Sequence, residues 1–349
     1  MGGWRFGDPN GRRKWFSHAE PFGDLPGFQL AYETWGTLNA EASNAVLVLH
    51  ALTGDSHVAG GVEPGHPTPG WWDSLVGPEK PLDGFFVVAP NVLGGCQGST
   101  GPWQYPGFPA LTIRDQVAAE AHLADYLGIG RWAAVLGGSM GGMRAVEWAV
   151  SAPDRVDSLL LLATTAAASA EQIALASAQL HAIKADPLEG LGIARRIAHI
   201  SYRSEQELQA RFGRQEQGDG RFAVESYLDH HAAKLTRRFD AASYVTLTEA
   251  MNSHDVGYRR GGVPAALKKV TARTIVAGVD SDRLYPLAQQ EELAAGIRGA
   301  DGLRVIESPH GHDAFLIESD QVGALVRELV PPGTRAGGRT RPASPSPAR

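Results

Sequence analysis

Apolar residues in the first half of the chain fall into short unbroken runs, separated by longer stretches in which they recur at helical spacing. Residues 45–49 (AVLVL), 85–89 (FFVVA), 132–136 (WAAVL) and 157–162 (DSLLLL) read as strands buried on both faces. Residues 111–127 and 142–150 carry the three-to-four spacing of helices. This alternation is the signature of βα units around a mostly parallel central sheet with helices on both faces.

The pattern changes after residue 165. From 166 to 269 only helix-period segments occur, at 170–184, 190–201 and 222–234, before strands resume at 274–279 (TIVAGV) and 303–307 (LRVIE). A last amphipathic helix is expected over 320–330. A helical block between two strands of one sheet reads as an insertion rather than a tandem domain. The expected organisation is therefore a core of residues 1–165 and 270–330 with an inserted helical lid at 166–269. Residues 331–349, rich in Pro, Gly, Ser and Arg, are expected to be a disordered tail.

Composition narrows the function classes. A chain of 349 residues with 43% hydrophobic content can bury a large core, which excludes a disordered or fibrous protein. The net charge of -6, with both signs mixed along the chain, excludes the basic stripe of a nucleic-acid binder. One cysteine, Cys96, cannot form an intramolecular disulfide and suits a reducing compartment. Residues 1–14 lack the apolar core of a signal peptide, and no run approaches the roughly 20 apolar residues of a membrane span. The expected setting is cytoplasmic, with no membrane or nucleic-acid partner.

The most informative segment is Gly137-Gly138-Ser139-Met140-Gly141-Gly142, which matches G-x-S-x-G between an expected strand and an expected helix. That context is the nucleophile turn of the α/β-hydrolase fold, so tight that glycines must flank the serine. It raises the Ser139 hydroxyl above the sheet at a helix N-terminus, where amides favour developing negative charge. In this fold the triad acid and then the histidine follow the serine, at the ends of late strands. Strand 274–279 is followed by Asp280 and Asp282, and strand 303–307 by His310 and His312. Spacing alone does not choose within either pair. For the oxyanion hole, one amide belongs to Met140, the residue after the nucleophile. The other is assigned to Leu52, in the loop His50-Ala51-Leu52-Thr53-Gly54 after an early strand.

Six segments together carry a family resemblance. They are AYETWG (31–36), HALTG (50–54), NVLGGCQGSTGP (91–102), GGSMGG (137–142), SDRLYP (281–286) and GHDAFL (311–316). With them the chain resembles homoserine O-acetyltransferase from about residue 17 to 330. The resemblance implies an α/β-hydrolase fold and a triad of Ser139, Asp282 and His312. It implies acetyl-CoA as acyl donor, L-homoserine as acceptor, a role in methionine synthesis, no tightly bound cofactor, no metal, and a homodimer. It also implies two substrate contacts, Arg195 and Asp313. From the residues alone, Arg195 reads as a solvated charge on a helix and Asp313 as a loop-ordering acid. As contacts they suit a zwitterion, an arginine fork taking its carboxylate and an aspartate its ammonium.

The chain departs from the family pattern after Pro187, where a longer stretch with a tryptophan and a Gly-x-Tyr is expected and Gly190-Leu191-Gly192 follows almost at once. A second shortening falls near residues 218–220. The lid is therefore trimmed while the triad segments are intact. Rival readings on the same triad are an esterase or thioesterase, a homoserine or serine O-succinyltransferase, and a non-catalytic scaffold of this fold.

Overall fold

The computed structural model describes residues 2–330. The tail expected to be disordered, 331–349, lies outside the described residues. Eight strands form one sheet: β1 (Lys14–His18), β2 (Phe28–Trp35), β3 (Ala45–Leu49), β4 (Phe86–Pro90), β5 (Ala134–Gly138), β6 (Ser158–Leu162), β7 (Arg273–Val279) and β8 (Ala300–Ile306). Their spatial order is β1-β2-β4-β3-β5-β6-β7-β8. From β4 to β8 all neighbours are parallel, whereas β1 and β2 join antiparallel at one edge. The fold class is thus the one expected from the strand runs. The β1/β2 pair was not anticipated.

The helices are α1 (Ile113–Tyr126), α2 (Met140–Ser151), α3 (Ala170–Ala185), α4 (Pro187–Tyr202), α5 (Glu205–Phe212), α6 (Ala223–Arg238), α7 (Ala241–Asn252), α8 (Val263–Leu267), α9 (Leu287–Gly296), α10 (Ala314–Ile317) and α11 (Ser319–Leu329). Six of them, α3 to α8, lie between β6 and β7, in the stretch where only helical periodicity was found. Local chemistry sets their starts. The Ser169 hydroxyl accepts from the Gln172 amide at 3.3 Å while the Gln172 side chain accepts from the Ser169 amide at 2.9 Å, a reciprocal cap that opens α3. Asp186 accepts the Leu188 and Glu189 amides, and Pro187 sits in the first turn. That cap explains why α4 starts at Pro187 and not at residue 190, as periodicity suggested.

Successive strand residues point to opposite faces, and both faces are covered. Ala45, Leu47 and Leu49 of β3 enter one core with Val117 and Leu123 of α1 and Trp148 of α2. Val46 and Val48 enter the other, with Leu75, Leu82, Val322 and Val326. A third apolar cluster joins the inserted helices to the carboxyl ends of the strands. In it Ile183, Leu191, Leu235 and Leu247 pack with Leu52, Met140, Met143 and Tyr285. The helical block is thereby seated over the end of the sheet that carries the G-x-S-x-G turn.

Candidate active site

Ser139 links β5 to α2 with φ 55° and ψ -126°, a left-handed conformation that costs a non-glycine residue on the order of 1–3 kcal/mol. The strain is held by neighbours that leave no alternative. The Ser139 amide donates to the Leu162 carbonyl at 3.0 Å, and its own carbonyl accepts from the Thr164 hydroxyl at 2.9 Å. A Cβ on Gly141 would lie 2.0 Å from the Leu49 carbonyl oxygen, so this position tolerates glycine alone.

The sequence left two acids and two histidines open, and the geometry separates them. His312 Nε2 accepts from Ser139 Oγ at 2.8 Å, and His312 Nδ1 donates to Asp282 Oδ2 at 2.7 Å. The other Asp282 oxygen accepts the Leu284 and Tyr285 amides at 2.8 and 2.9 Å. Asp280 instead receives the Ser308 amide, and the His310 ring faces Glu207 at 3.4 Å. Burial disfavours the His312 imidazolium, but the charge and hydrogen bond of Asp282, with Asp313 adding to them, raise its pKa above the ordinary value.

Aromatic rings enclose the histidine. Tyr285 stacks on it with ring centroids 4.8 Å apart, and Tyr202 and Phe315 stand at 5.6 and 5.5 Å. None of the three was singled out from the sequence. Leu52 lies with Ser139 and His312 on the wall of one pocket of about 280 Å³. Met140, the first residue of α2, has no carbonyl one helical turn earlier to receive its amide. His50 orders the loop that carries Leu52. Its Nε2 accepts the Val92 amide at 3.1 Å, its Nδ1 donates to the Ala51 carbonyl at 2.8 Å, and burial with the nearby Arg144 pushes its pKa down to about 3.

Arg195 and Asp313 line the same pocket. Arg195 has no carboxylate partner among the described residues, and its Nε is buried without an acceptor. Asp313 is paired with Arg203 at 3.1 Å, a contact the sequence did not reveal. Lys234 and Arg238 of α6 complete the basic wall. Nothing in the sequence distinguished them from solvated charges on a helix face. Cys96 is buried, and burial pushes its thiol up to about 12, in keeping with a packing role.

Among the described residues one cluster offers three potential metal ligands, Glu33, His57 and His66. Its bonds are those of a hydrogen-bonded anchor. His57 Nδ1 donates to Glu33 at 3.1 Å and its Nε2 to the Gly61 carbonyl at 3.2 Å, while His66 Nε2 accepts the Arg12 amide at 3.2 Å. The two rings are stacked 3.9 Å apart and 10° from parallel, so a single ion could not lie in both ring planes. The cluster fixes the loop that brings Thr68, Pro69 and Trp71 to the pocket.

Comparison with known proteins agrees with this architecture. A family model described as alpha/beta hydrolase fold matches residues 44–319. The homoserine O-acetyltransferase of Thermobifida fusca (strain YX) is 60% identical over 94% of this chain and 96% of its own length. That of Mycobacterium tuberculosis (strain CDC 1551 / Oshkosh) is 51% identical over 88% of this chain and 89% of its own. The crystal structure of homoserine O-acetyltransferase from Bacillus anthracis superposes with a TM-score of 0.83 at 25% identity, covering 91% of this chain and 97% of that one. Esterase E22 gives the same TM-score at 22% identity, over 91% of this chain and 99% of that one, a likeness of fold alone. Sequence identity above one half, sustained over nearly the full length, places the chain in the homoserine O-acetyltransferase family, the acyltransferases built on the α/β-hydrolase fold.

Proposed function

We propose that the chain transfers the acetyl group of acetyl-CoA to the hydroxyl of L-homoserine through an acyl-enzyme on Ser139. The observation that carries this reading is the unbroken chain of bonds from Ser139 Oγ through His312 to Asp282. His312 Nε2 takes the Ser139 proton as Oγ attacks the thioester carbonyl. The oxyanion is met by the Leu52 and Met140 amides. The C–S bond then breaks and the proton passes to the departing coenzyme A thiolate. Homoserine enters next, His312 takes its hydroxyl proton, and the second oxyanion collapses with return of that proton to Ser139 Oγ.

In this reading the unpaired Arg195 receives the homoserine carboxylate in a bidentate fork, and Asp313, held by Arg203, receives the ammonium. Both charges lie away from the reacting hydroxyl and orient it toward the acyl carbon. The thioester drives the reaction, and each step is balanced by groups of the chain and its two substrates. Water is a competent nucleophile in the same geometry, so α3 to α8 act as a lid that shields the acyl-enzyme. The product feeds methionine synthesis in a cytoplasmic setting. We include the family's homodimer in the same reading. The apolar Ile193 and Ile200, exposed and two turns apart on α4, are positions that such a contact would cover.

The test is coenzyme A release from acetyl-CoA, followed by thiol titration with and without homoserine, on wild type and Ser139→Ala. Release that requires homoserine and disappears in the variant supports the proposal. Equal Ser139-dependent release without an acceptor would make the protein a thioesterase. Release from succinyl-CoA alone would replace the donor and keep the mechanism.

A further inference from the structure

A thioester donor such as acetyl-CoA has its reactive carbonyl and its phosphates at opposite ends of a long flexible arm. The pocket around Ser139 accounts for the reactive end only. One helix continues from it. Lys234 and Arg238 of α6 line the Ser139 pocket, and Tyr227, His230 and His231 of the same helix line a second, open cleft of about 560 Å³ with Arg211. At 100° per residue, positions 227, 230, 231, 234 and 238 share one face of the helix. His231 of the cleft and Lys234 of the Ser139 pocket are less than one turn apart, so the two hollows lie side by side along this face. The rise from Lys234 back to Tyr227 is about 10 Å, and from Arg238 to Tyr227 about 17 Å.

The charge along this stripe is one-sided. Arg211 projects over the Phe212 and Tyr227 rings at 5.0 and 4.9 Å and remains about half exposed. Lys234 is exposed and has no ion-pair partner among the described residues. Of the acids nearby, Glu207 faces Arg203, Arg211 and His310, and Asp229 is paired with Arg196 and Arg221, while the exposed Glu216, between Gln215 and Gln217, has no ion pair among the described residues. The polar side chains of Gln215, Gln217 and Ser226 complete the cleft and offer hydrogen-bond partners.

We infer that the cleft bounded by Arg211, Tyr227, His230 and His231 holds the phosphorylated nucleotide half of the acyl donor, whose arm runs along α6 past Lys234 to Ser139. This rests on the acyl-transfer reading above and adds to it the place where the donor is recognised. Arg211 and His230 contact phosphate oxygens, and Lys234 meets the charged end of the arm between the two hollows.

The experiment compares acetyl-CoA with S-acetylpantetheine, which keeps the thioester and the arm but lacks the phosphates and the nucleotide. Thiol release is measured on wild type, Arg211→Gln and His230→Ala. The expected result is a KM for acetyl-CoA raised about tenfold in Arg211→Gln, the loss of one charge-assisted contact. In that variant kcat, and the KM for S-acetylpantetheine, stay at the wild-type values. His230→Ala shows a smaller rise confined to acetyl-CoA. Kinetic constants that move together for both donors, or for neither, would overturn the inference. Arg211 packs on two rings, so the exposed His230 position keeps the test decisive if Arg211→Gln folds poorly. A wild type that releases thiol from neither donor overturns the acyl-transfer reading itself, an outcome distinct from loss of the cleft alone.

Discussion

The phenol ring of Tyr285 lies on the His312 imidazole, with centroids 4.8 Å apart and planes 21° from parallel. Tyr285 is itself 1% exposed, so it both fixes the ring orientation of the base and keeps water from one face of it. Burial is the largest influence on the His312 pKa and acts against the imidazolium. Opening that face to water therefore favours protonation. Tyr285→Leu should lower kcat by roughly tenfold, the loss of ~1.4 kcal/mol of positioning, and move the acid limb of kcat/KM to higher pH. Tyr285→Phe retains the stack and should keep the wild-type limb. A pH–rate profile of the three proteins checks this, and identical limbs would show that the ring only fills space.

The Asp282 pair has the opposite sign. Its charge and hydrogen bond, together with the charge of Asp313, outweigh burial and raise the His312 pKa above its ordinary value. Since only neutral His312 can take the Ser139 proton, wild-type activity should fall as the pH drops through that raised pKa. Asp282→Asn removes the counter-charge and leaves the burial, so its acid limb should shift to lower pH while kcat falls by about 10⁴-fold through loss of the correct tautomer. An unmoved limb would assign the raised pKa to Asp313 instead.

Arg195 is a pocket cation without a carboxylate partner among the described residues, and the two-step mechanism allows its role to be isolated. Arg195→Ala should raise the KM for homoserine by roughly 10- to 100-fold, as expected for a lost hydrogen-bonded charge contact. Acylation of Ser139 by acetyl-CoA, followed as the pre-steady-state burst of thiol, should keep its rate. Arg195→Lys keeps the charge and loses the fork, and should recover only part of the affinity. A slowed burst would place Arg195 at the donor.

What could be read from the sequence follows from how local each signal is. Strands β3, β5, β6 and β7 are buried almost throughout, so their apolar runs announce them. β1 reads exposed, intermediate, buried, exposed, intermediate, and its identity rests on pairing with β2, which no short window contains. The same division holds at the site. Ser139 sits in a turn whose glycines are dictated within six residues. The choice of His312 over His310 is made by Asp282 thirty residues away and by Ser139 much further off. The pairing of Asp313 with Arg203, and the facing of Lys234 and Arg238 toward Ser139, exist only once the inserted helices close over the sheet.

Cys96 bears directly on the proposed assay, because a reactive protein thiol would obscure coenzyme A release. It is 1% exposed, and burial pushes its pKa up to about 12, so almost no thiolate is present near neutral pH. The native protein should give no titratable thiol before acetyl-CoA is added, and one per chain after unfolding in guanidinium. A thiol that titrates in the native state would contradict the packing around Cys96.

Arg144 ties the two elements that carry the proposed oxyanion amides. It lies on α2, which begins at Met140, and donates at 2.6 Å to the His50 carbonyl, where the chain turns toward Leu52. Its second partner is Glu120 at 2.6 Å, and Trp148 donates to the same carboxylate at 2.8 Å. Arg144→Met strands a buried carboxylate and should cost about 3–5 kcal/mol in urea denaturation. The double variant Arg144→Met/Glu120→Met removes both charges and should regain most of that stability, since the charge left behind is what destabilises the single variant. Its kcat should nonetheless stay about tenfold low, because the His50 carbonyl has lost the donor that holds the Leu52 loop against α2. Measuring stability and kcat on the same double variant separates the two roles. A stable protein with full kcat would make the Arg144 bridge a matter of folding alone, while a stable protein with a depressed kcat would mark it as the spacer between the two amides.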